Sequence, residues 1–173
     1  MIIKNTNLDG VKLIKPKLYN DERGYFFESF NQKLSENLNC SFIQSNESIS
    51  KQGVIRGIHF QRPPYEQSKL VRVIKGKVQD IAVDLRPDSK TYKKYISVKL
   101  DDIDKKQLFI PKGFGHAFLT LSKEAIVSYL VDTSYQQKYD SGIRFDDKSI
   151  NVDWEIDMNQ VILSEKDRNL PFL

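Results

Sequence analysis

The sequence predicts an all-β fold, a sandwich or barrel for which the jelly roll is a strong candidate, with a few short helices. Three observations carry that expectation. Ten short runs rich in Val, Ile, Phe and Tyr recur along the 173 residues, each bounded by Gly, Pro, Asp, Asn or Lys. Helical spacing shows over only one stretch of any length, Asn31–Leu38. No internal repeat or linker breaks the series, so residues 1–173 read as one domain.

The elements follow in order. Val11–Pro16 and Gly24–Phe30 read as the first strands, and Asn31 then caps a helix whose Leu34 and Leu38 share a face. Strands are predicted at Phe42–Ser45, Val54–Gln61, Lys69–Lys75, Val78–Arg86, Tyr95–Leu100, Leu108–Pro111, Ala117–Leu121 and Ala125–Val131. A last helical turn starts at Ser164, with Asp167 three residues on. In Val78–Leu85 one face carries Gln79, Ile81, Val83 and Leu85, and the other Val78, Asp80, Ala82 and Asp84. That mixed second face suits a barrel whose interior is partly a polar pocket. In Lys69–Lys75 both faces carry cations, which fits a pocket wall and a solvent-facing sheet equally well.

Composition narrows the function classes. With 39% apolar and 29% charged residues, 8 Gly and 6 Pro, the chain is neither low-complexity, collagen-like nor disordered. A single cysteine, Cys40, excludes an intrachain disulfide and suits a reducing compartment. No signal peptide or membrane-length apolar run is visible, so a cytoplasmic protein is expected. The formal charge is +4, but the 27 cations are interspersed with 23 anions rather than gathered in a stripe. Binding to nucleic acid is therefore not expected, whereas a small anionic ligand is compatible.

Only two histidines exist, His59 and His116, both in apolar strand contexts. His116 closes Pro-x-Gly-x-x-His-x-Phe, which resembles the second motif of the cupin superfamily. Metal-binding cupins pair it with a His-x-His, yet the position two after His59 is Gln61. A three-histidine site cannot be built from two, and an amide oxygen replaces imidazole poorly toward transition metals. No metal is expected, and chemistry in such a pocket is organic acid–base work. A histidine in an apolar strand also serves as a hydrogen-bonded core residue. Strict alternation puts His59 and Gln61 on one face and Arg56 on the other, so for Arg56 and His59 to converge a bulge is required, expected at Gly57.

Five blocks, in order, resemble the dTDP-4-dehydrorhamnose 3,5-epimerase family: Asp21-Glu-Arg-Gly-Tyr-Phe-Phe-Glu-Ser-Phe, Val54-Ile-Arg-Gly-Ile-His-Phe-Gln, Gln67-Ser-Lys-Leu-Val-Arg, Ile110-Pro-Lys-Gly-Phe-Gly-His-Ala-Phe and Leu163-Ser-Glu-Lys-Asp. The resemblance implies a metal-independent, cupin-like jelly-roll homodimer without cofactor, acting on a nucleotide-linked 4-keto-6-deoxy sugar. Carried over by motif, His59 is the base, Asp167 holds its far nitrogen, Lys69 faces the ketone oxygen and Tyr129 is the proton donor. Arg23, Arg56, His116 and Lys166 become phosphate or sugar contacts, with Gln61 beside them. Glu28, Gln44, Asn46 and Asp140 become nucleoside contacts, and Tyr135 stacks on the base. Phe26 joins this group, although Phe26 and Phe30 also read as core residues, and Arg23 with Glu28 as a surface ion pair. The resemblance further implies that the N-terminal strand crosses to the partner subunit, so that Arg23 and Phe26 serve the partner's pocket.

Departures from the family pattern cluster where the nucleotide is expected. Glu47 replaces a His, Gln136-Gln-Lys-Tyr-Asp140 replaces a segment with Pro and Glu, and Val152-Asp-Trp-Glu155 lacks a final Pro. They leave His59, Tyr129, Lys69 and Asp167 in place but leave open a 3-only or 5-only epimerase and a GDP- or CDP-linked substrate; a non-catalytic sugar-nucleotide-binding cupin is the alternative of another class.

Overall fold

The computed structural model describes residues 1–173. Two antiparallel sheets face one another as a jelly roll. The strands are β1 (Ile2–Asn5), β2 (Lys12–Lys15), β3 (Tyr19–Asp21), β4 (Gly24–Phe26), β5 (Gln44–Lys51), β6 (Ile55–Gln61), β7 (Lys69–Lys75), β8 (Lys77–Asp84), β9 (Tyr95–Asp101), β10 (Gln107–Ile110), β11 (Phe114–Thr120), β12 (Glu124–Val131) and β13 (Asp140–Gly142). Helices α1 (Gln32–Leu38) and α2 (Glu165–Arg168) are short. One sheet has the order β1-β2-β10-β7-β12-β5, the other β13-β6-β11-β8-β9, and β3-β4 form a separate hairpin.

Three apolar clusters hold this frame. Between the sheets lie Val71, Val73, Val78, Ala82, Phe118 and Val127 with their neighbours. On the outer side of the five-stranded sheet, the segment after β13 lays Ile143, Ile150 and Trp154 over Ile58, Ile81 and Ala117. Outside the six-stranded sheet, α1 buries Leu34 and Leu38 against Ile14, Leu70 and Phe109. Each fully buried aliphatic side chain contributes about 1.5–3 kcal/mol. β8 is thus covered on both faces, with Ala82 inward and Ile81 outward, and its mixed inner face is the one that carries Asp80. β7 takes neither simple role: Val71 and Val73 enter the interior, Leu70 meets α1, and Arg72 lies on the outer side.

Both cap expectations hold. The Asn31 side chain accepts from the Leu34 N–H at 2.9 Å, and the Ser164 hydroxyl accepts from the Asp167 N–H at 3.1 Å. The strand expected at Gly24–Phe30 stops at Phe26, because the following residues turn into α1 and the Ser29 carbonyl is taken by Gln107 Nε2 at 2.8 Å. The strand expected at Phe42–Ser45 instead begins at Gln44 and runs to Lys51. Its residues are polar on both faces, which hides it from a hydrophobic pattern: one face lines the interior and the other is exposed at the sheet edge. The core reading of Phe26 and Phe30 is corrected, for they are 67% and 40% exposed.

Candidate active site

At Gly57 the strand order and the chemistry meet. β6 pairs with β11 through His59↔His116 and Phe118↔Arg56, so that two residues of β6, Gly57 and Ile58, oppose the single Ala117 of β11. This bulge brings Arg56 and His59 onto one face, as the spacing required. Gly57 has φ +117°, and a Cβ there would approach the His116 carbonyl oxygen to 2.5 Å, so no side chain fits.

His59 is half-buried, and its Nε2 lies 2.5 Å from Asp167 Oδ1. With the Nε2 proton donated to the carboxylate, Nδ1 keeps the lone pair. Burial would raise the Asp167 carboxyl, but the His59 bond and the Ser164 cap outweigh it and hold the group below its ordinary value. The second histidine repeats the arrangement one strand away. His116 Nε2 lies 3.1 and 3.0 Å from the two oxygens of Asp80, and both side chains are buried. Burial, opposed by Asp80 and reinforced by Lys69 and His59, lowers the proton affinity of His116, so a neutral imidazole donates to Asp80. Asp80 was not among the expected site residues; its only signal was a carboxylate on the interior face of a buried strand.

The opposite sheet supplies Lys69 and Tyr129. Tyr129 pairs with Val71 and Asn46, packs against the interior cluster and so faces inward, and Lys69 shares that row. Lys69 Nζ stands 5.8 Å from the centroid of the Tyr129 ring. Burial pushes the Lys69 ammonium down to about 8 against the attraction of Asp80 and Asp140. Burial raises the Tyr129 phenol, with Arg56 opposing, so it is protonated at neutral pH. Gln44 and Asn46 lie on the same inward face, with Gln44 Nε2 donating to Asn46 Oδ1 at 2.8 Å. Arg56 is anchored by Ser50 Oγ at 2.9 Å and the Ile49 carbonyl at 3.1 Å.

A third group sits beside the His59–Asp167 pair. Asp140 accepts from Tyr135 Oη at 3.0 Å and from Lys166 Nζ, and Lys166 precedes Asp167 on α2. Tyr135 is 52% exposed. Gln61 departs from its expected role. Both N–H groups of its amide go to the Tyr65 and Ser134 carbonyls, at 2.7 and 3.2 Å, and its oxygen takes the Gln136 N–H at 2.6 Å. Its amide is used up in bracing the loop that carries Tyr135. Glu47, the departure from the family pattern, is on the exposed outer face of β5, away from Gln44 and Asn46.

Arg23, Phe26 and Glu28 stand apart from this constellation within the chain. Arg23 pairs with Asp21 at 2.6 Å rather than with Glu28, which accepts instead from Asn31 Nδ2 at 2.9 Å. None of the three hydrogen-bonds to His59, Lys69 or Tyr129. No group of three or more His, Cys, Asp or Glu side chains is arranged to hold a metal ion. The constellation that remains is a carboxylate-held imidazole on one sheet facing an ammonium and a phenol on the other.

Comparison with known proteins agrees with that chemistry. A family model described as dTDP-4-dehydrorhamnose 3,5-epimerase matches residues 5–173. The dTDP-4-dehydrorhamnose 3,5-epimerase of Methanothermobacter thermautotrophicus is 52% identical, covering 95% of this chain and 90% of its own. The Bacillus anthracis enzyme of the same name, solved with TDP and PPi bound, superposes with a TM-score of 0.95 at 43% identity, over 99% of both chains. A dTDP-6-deoxy-D-glucose-3,5-epimerase from Legionella pneumophila, solved in complex with dTDP-4-keto-L-rhamnose, gives 0.94 at 41% identity, over 99% of this chain and 92% of that one. With its fold, its ordered motifs and its relatives in agreement over nearly the whole length, this chain belongs to the dTDP-4-dehydrorhamnose 3,5-epimerase family.

Proposed function

We propose that this chain is a cofactor-independent isomerase that epimerises dTDP-4-dehydro-6-deoxy-D-glucose at C3 and C5, in deoxysugar or surface-polysaccharide synthesis. The observation that carries the reading is the His59–Asp167 contact of 2.5 Å in a chain of this family. The C4 ketone acidifies the hydrogens on its two flanking carbons. His59 Nδ1 removes one of them, and Asp167 stabilises the imidazolium that forms. Lys69, cationic below about pH 8, stabilises the negative charge that develops on the ketone oxygen in the enolate. Tyr129 returns a proton to the opposite face of the carbon. A phenol whose proton is held more tightly than usual is suited to donate rather than to lose it beforehand.

The nucleotide is held by the remaining groups. Arg56, His116 and Lys166 meet phosphate or sugar, Gln44, Asn46 and Asp140 meet the nucleoside, and Tyr135 stacks on the base. Arg23, Phe26 and Glu28 act in a homodimer, where the exposed β3–β4 hairpin reaches the partner's pocket. Support for this comes from the hairpin's Tyr19, Tyr25 and Phe26, each more than half exposed. The 173 residues work as one jelly-roll domain in the cytoplasm, binding neither nucleic acid nor membrane; no helix is long and apolar enough to cross one.

Incubation with 4-keto sugar nucleotides in deuterated water tests the reading. Two deuteriums per product are expected from the dTDP-linked sugar. One deuterium would mean a single-carbon epimerase, faster exchange with a GDP- or CDP-linked sugar a different nucleotide, and none a binding protein without catalysis.

A further inference from the structure

Asp167 belongs to a helix of four residues, too short to hold its own geometry. Two anchors flank it. Upstream, Ile162 forms a parallel bridge with Val54: the Ile55 N–H donates to the Ile162 carbonyl at 3.0 Å and the Ile162 N–H to the Gly53 carbonyl at 2.9 Å. That ties the helix to the start of the strand carrying His59. Downstream, residues 168–173 fold back onto residues 142–147. The Arg144 N–H donates to the Pro171 carbonyl at 2.9 Å, and Arg144 Nη1 to the Arg168 carbonyl at 3.2 Å. The guanidinium, paired with Asp146 at 2.8 Å, also lies 4.8 Å from the centre of the Phe172 ring. The buried Asp147 accepts from the Leu173 N–H at 2.7 Å through one oxygen and from Ser149 and Ile150 through the other. Leu170 rests directly on Gly142, where a Cβ would come within 2.7 Å of a Leu170 methyl. Gly142 is the residue paired with His59 across β13 and β6.

From this we infer that the C-terminal tail is a positioning clasp for the reaction. Gly142, Arg144 and Asp147 grip Leu170–Leu173, and the grip aims the Asp167 carboxylate at His59. The inference rests on the reading of His59 as the base. A carboxylate 1 Å out of place leaves the imidazole free to turn, and misplacements of that size cost about 10²-fold in rate. Arg144 and Asp147 are thus positioning residues, acting through Asp167 and touching no substrate.

The test removes Phe172 and Leu173, with Arg144→Ala as a full-length variant should the shortened chain not fold. Deuterium uptake, KM, thermal midpoint and the proton NMR signal of the His59–Asp167 hydrogen bond are measured for each. The clasp predicts kcat lowered by about 10-fold or more, KM within about twofold, and the hydrogen-bonded proton signal weakened or lost. In an Asp167→Asn background the same change is expected to alter kcat by less than about twofold, since the group being aimed is already disabled. Unchanged kcat with an intact proton signal, whatever the thermal midpoint does, makes the tail a structural cover and overturns the inference. An undiminished effect on top of Asp167→Asn overturns it too. Full exchange by His59→Ala would instead sink the base assignment underneath, a result separable from any behaviour of the tail.

Discussion

The two histidines make nearly the same contact and are equipped for different tasks. Each presents Nε2 to a carboxylate, and they lie opposite one another on adjacent strands. His59 keeps 30% of its side chain exposed, and its partner comes from a separate helix near the C-terminus. His116 and Asp80 are more deeply buried between the sheets, where desolvation keeps the imidazole neutral. The same pair of groups is therefore open at the rim, where His59 is proposed to act as the base, and a fixed donor inside. Access to solvent, rather than the pairing itself, separates the two.

The sharpest break of that contrast is His59→Ala. Loss of a general base lowers solvent exchange by about 10²–10⁴-fold, while the chain stays folded with a lowered thermal midpoint, because the buried Asp167 loses its partner. A variant that exchanges normally, or that unfolds, would erase the distinction. His116→Ala should behave in the opposite sense. It leaves a buried Asp80 without its partner and costs about 3 kcal/mol of stability, read from denaturant midpoints. If it unfolds no more easily than wild type, the interior pair has no structural role.

Two pH measurements sharpen the comparison further. Lys69, lowered to about 8, loses its charge as pH rises through that value, so exchange should fall up to tenfold per pH unit above it. A Lys69→Met enzyme should be slower throughout and should lack that alkaline decline; a decline that persists would assign it to another group. The smallest effect concerns Asp167, whose pKa is depressed in the fold. Its contribution is fully present above the unfolded value of about 3.9 and disappears as pH falls through the folded one. Asp167→Asn should therefore flatten the loss of stability of wild type below about pH 4, measured by thermal unfolding; equal slopes would mean that the pair adds nothing to folding.

Much of the fold could be read from residues with strong local signals. Asn31 and Ser164 cap because their side chains compete for nearby N–H groups, and Leu34 and Leu38 share a face at any location in a fold. Elements with weak local signals escaped: β5 is polar on both faces, and β1, β3 and β13 are three or four residues long. The site divided in the same way. The family resemblance named His59, Asp167, Lys69 and Tyr129, and the fold brings His59 to Asp167 and Lys69 to Tyr129. Gln61 and Asp80 were misjudged or missed because the partner of each is a loop or strand distant in the chain.

Residue identity alone indicated the strand-rich class and the need for a bulge at Gly57, and the family resemblance singled out one imidazole, one phenol and one ammonium for moving a proton beside a ketone. Tertiary structure decided which of two like histidines stays open, that Asp80 occupies the other, and that the last residues of the chain lie against the strand beside His59. Those outcomes depend on burial and on contacts such as His59 with Asp167, 108 positions apart. Local preference acts over a few residues, whereas desolvation and charge pairing act only once the sheets have closed.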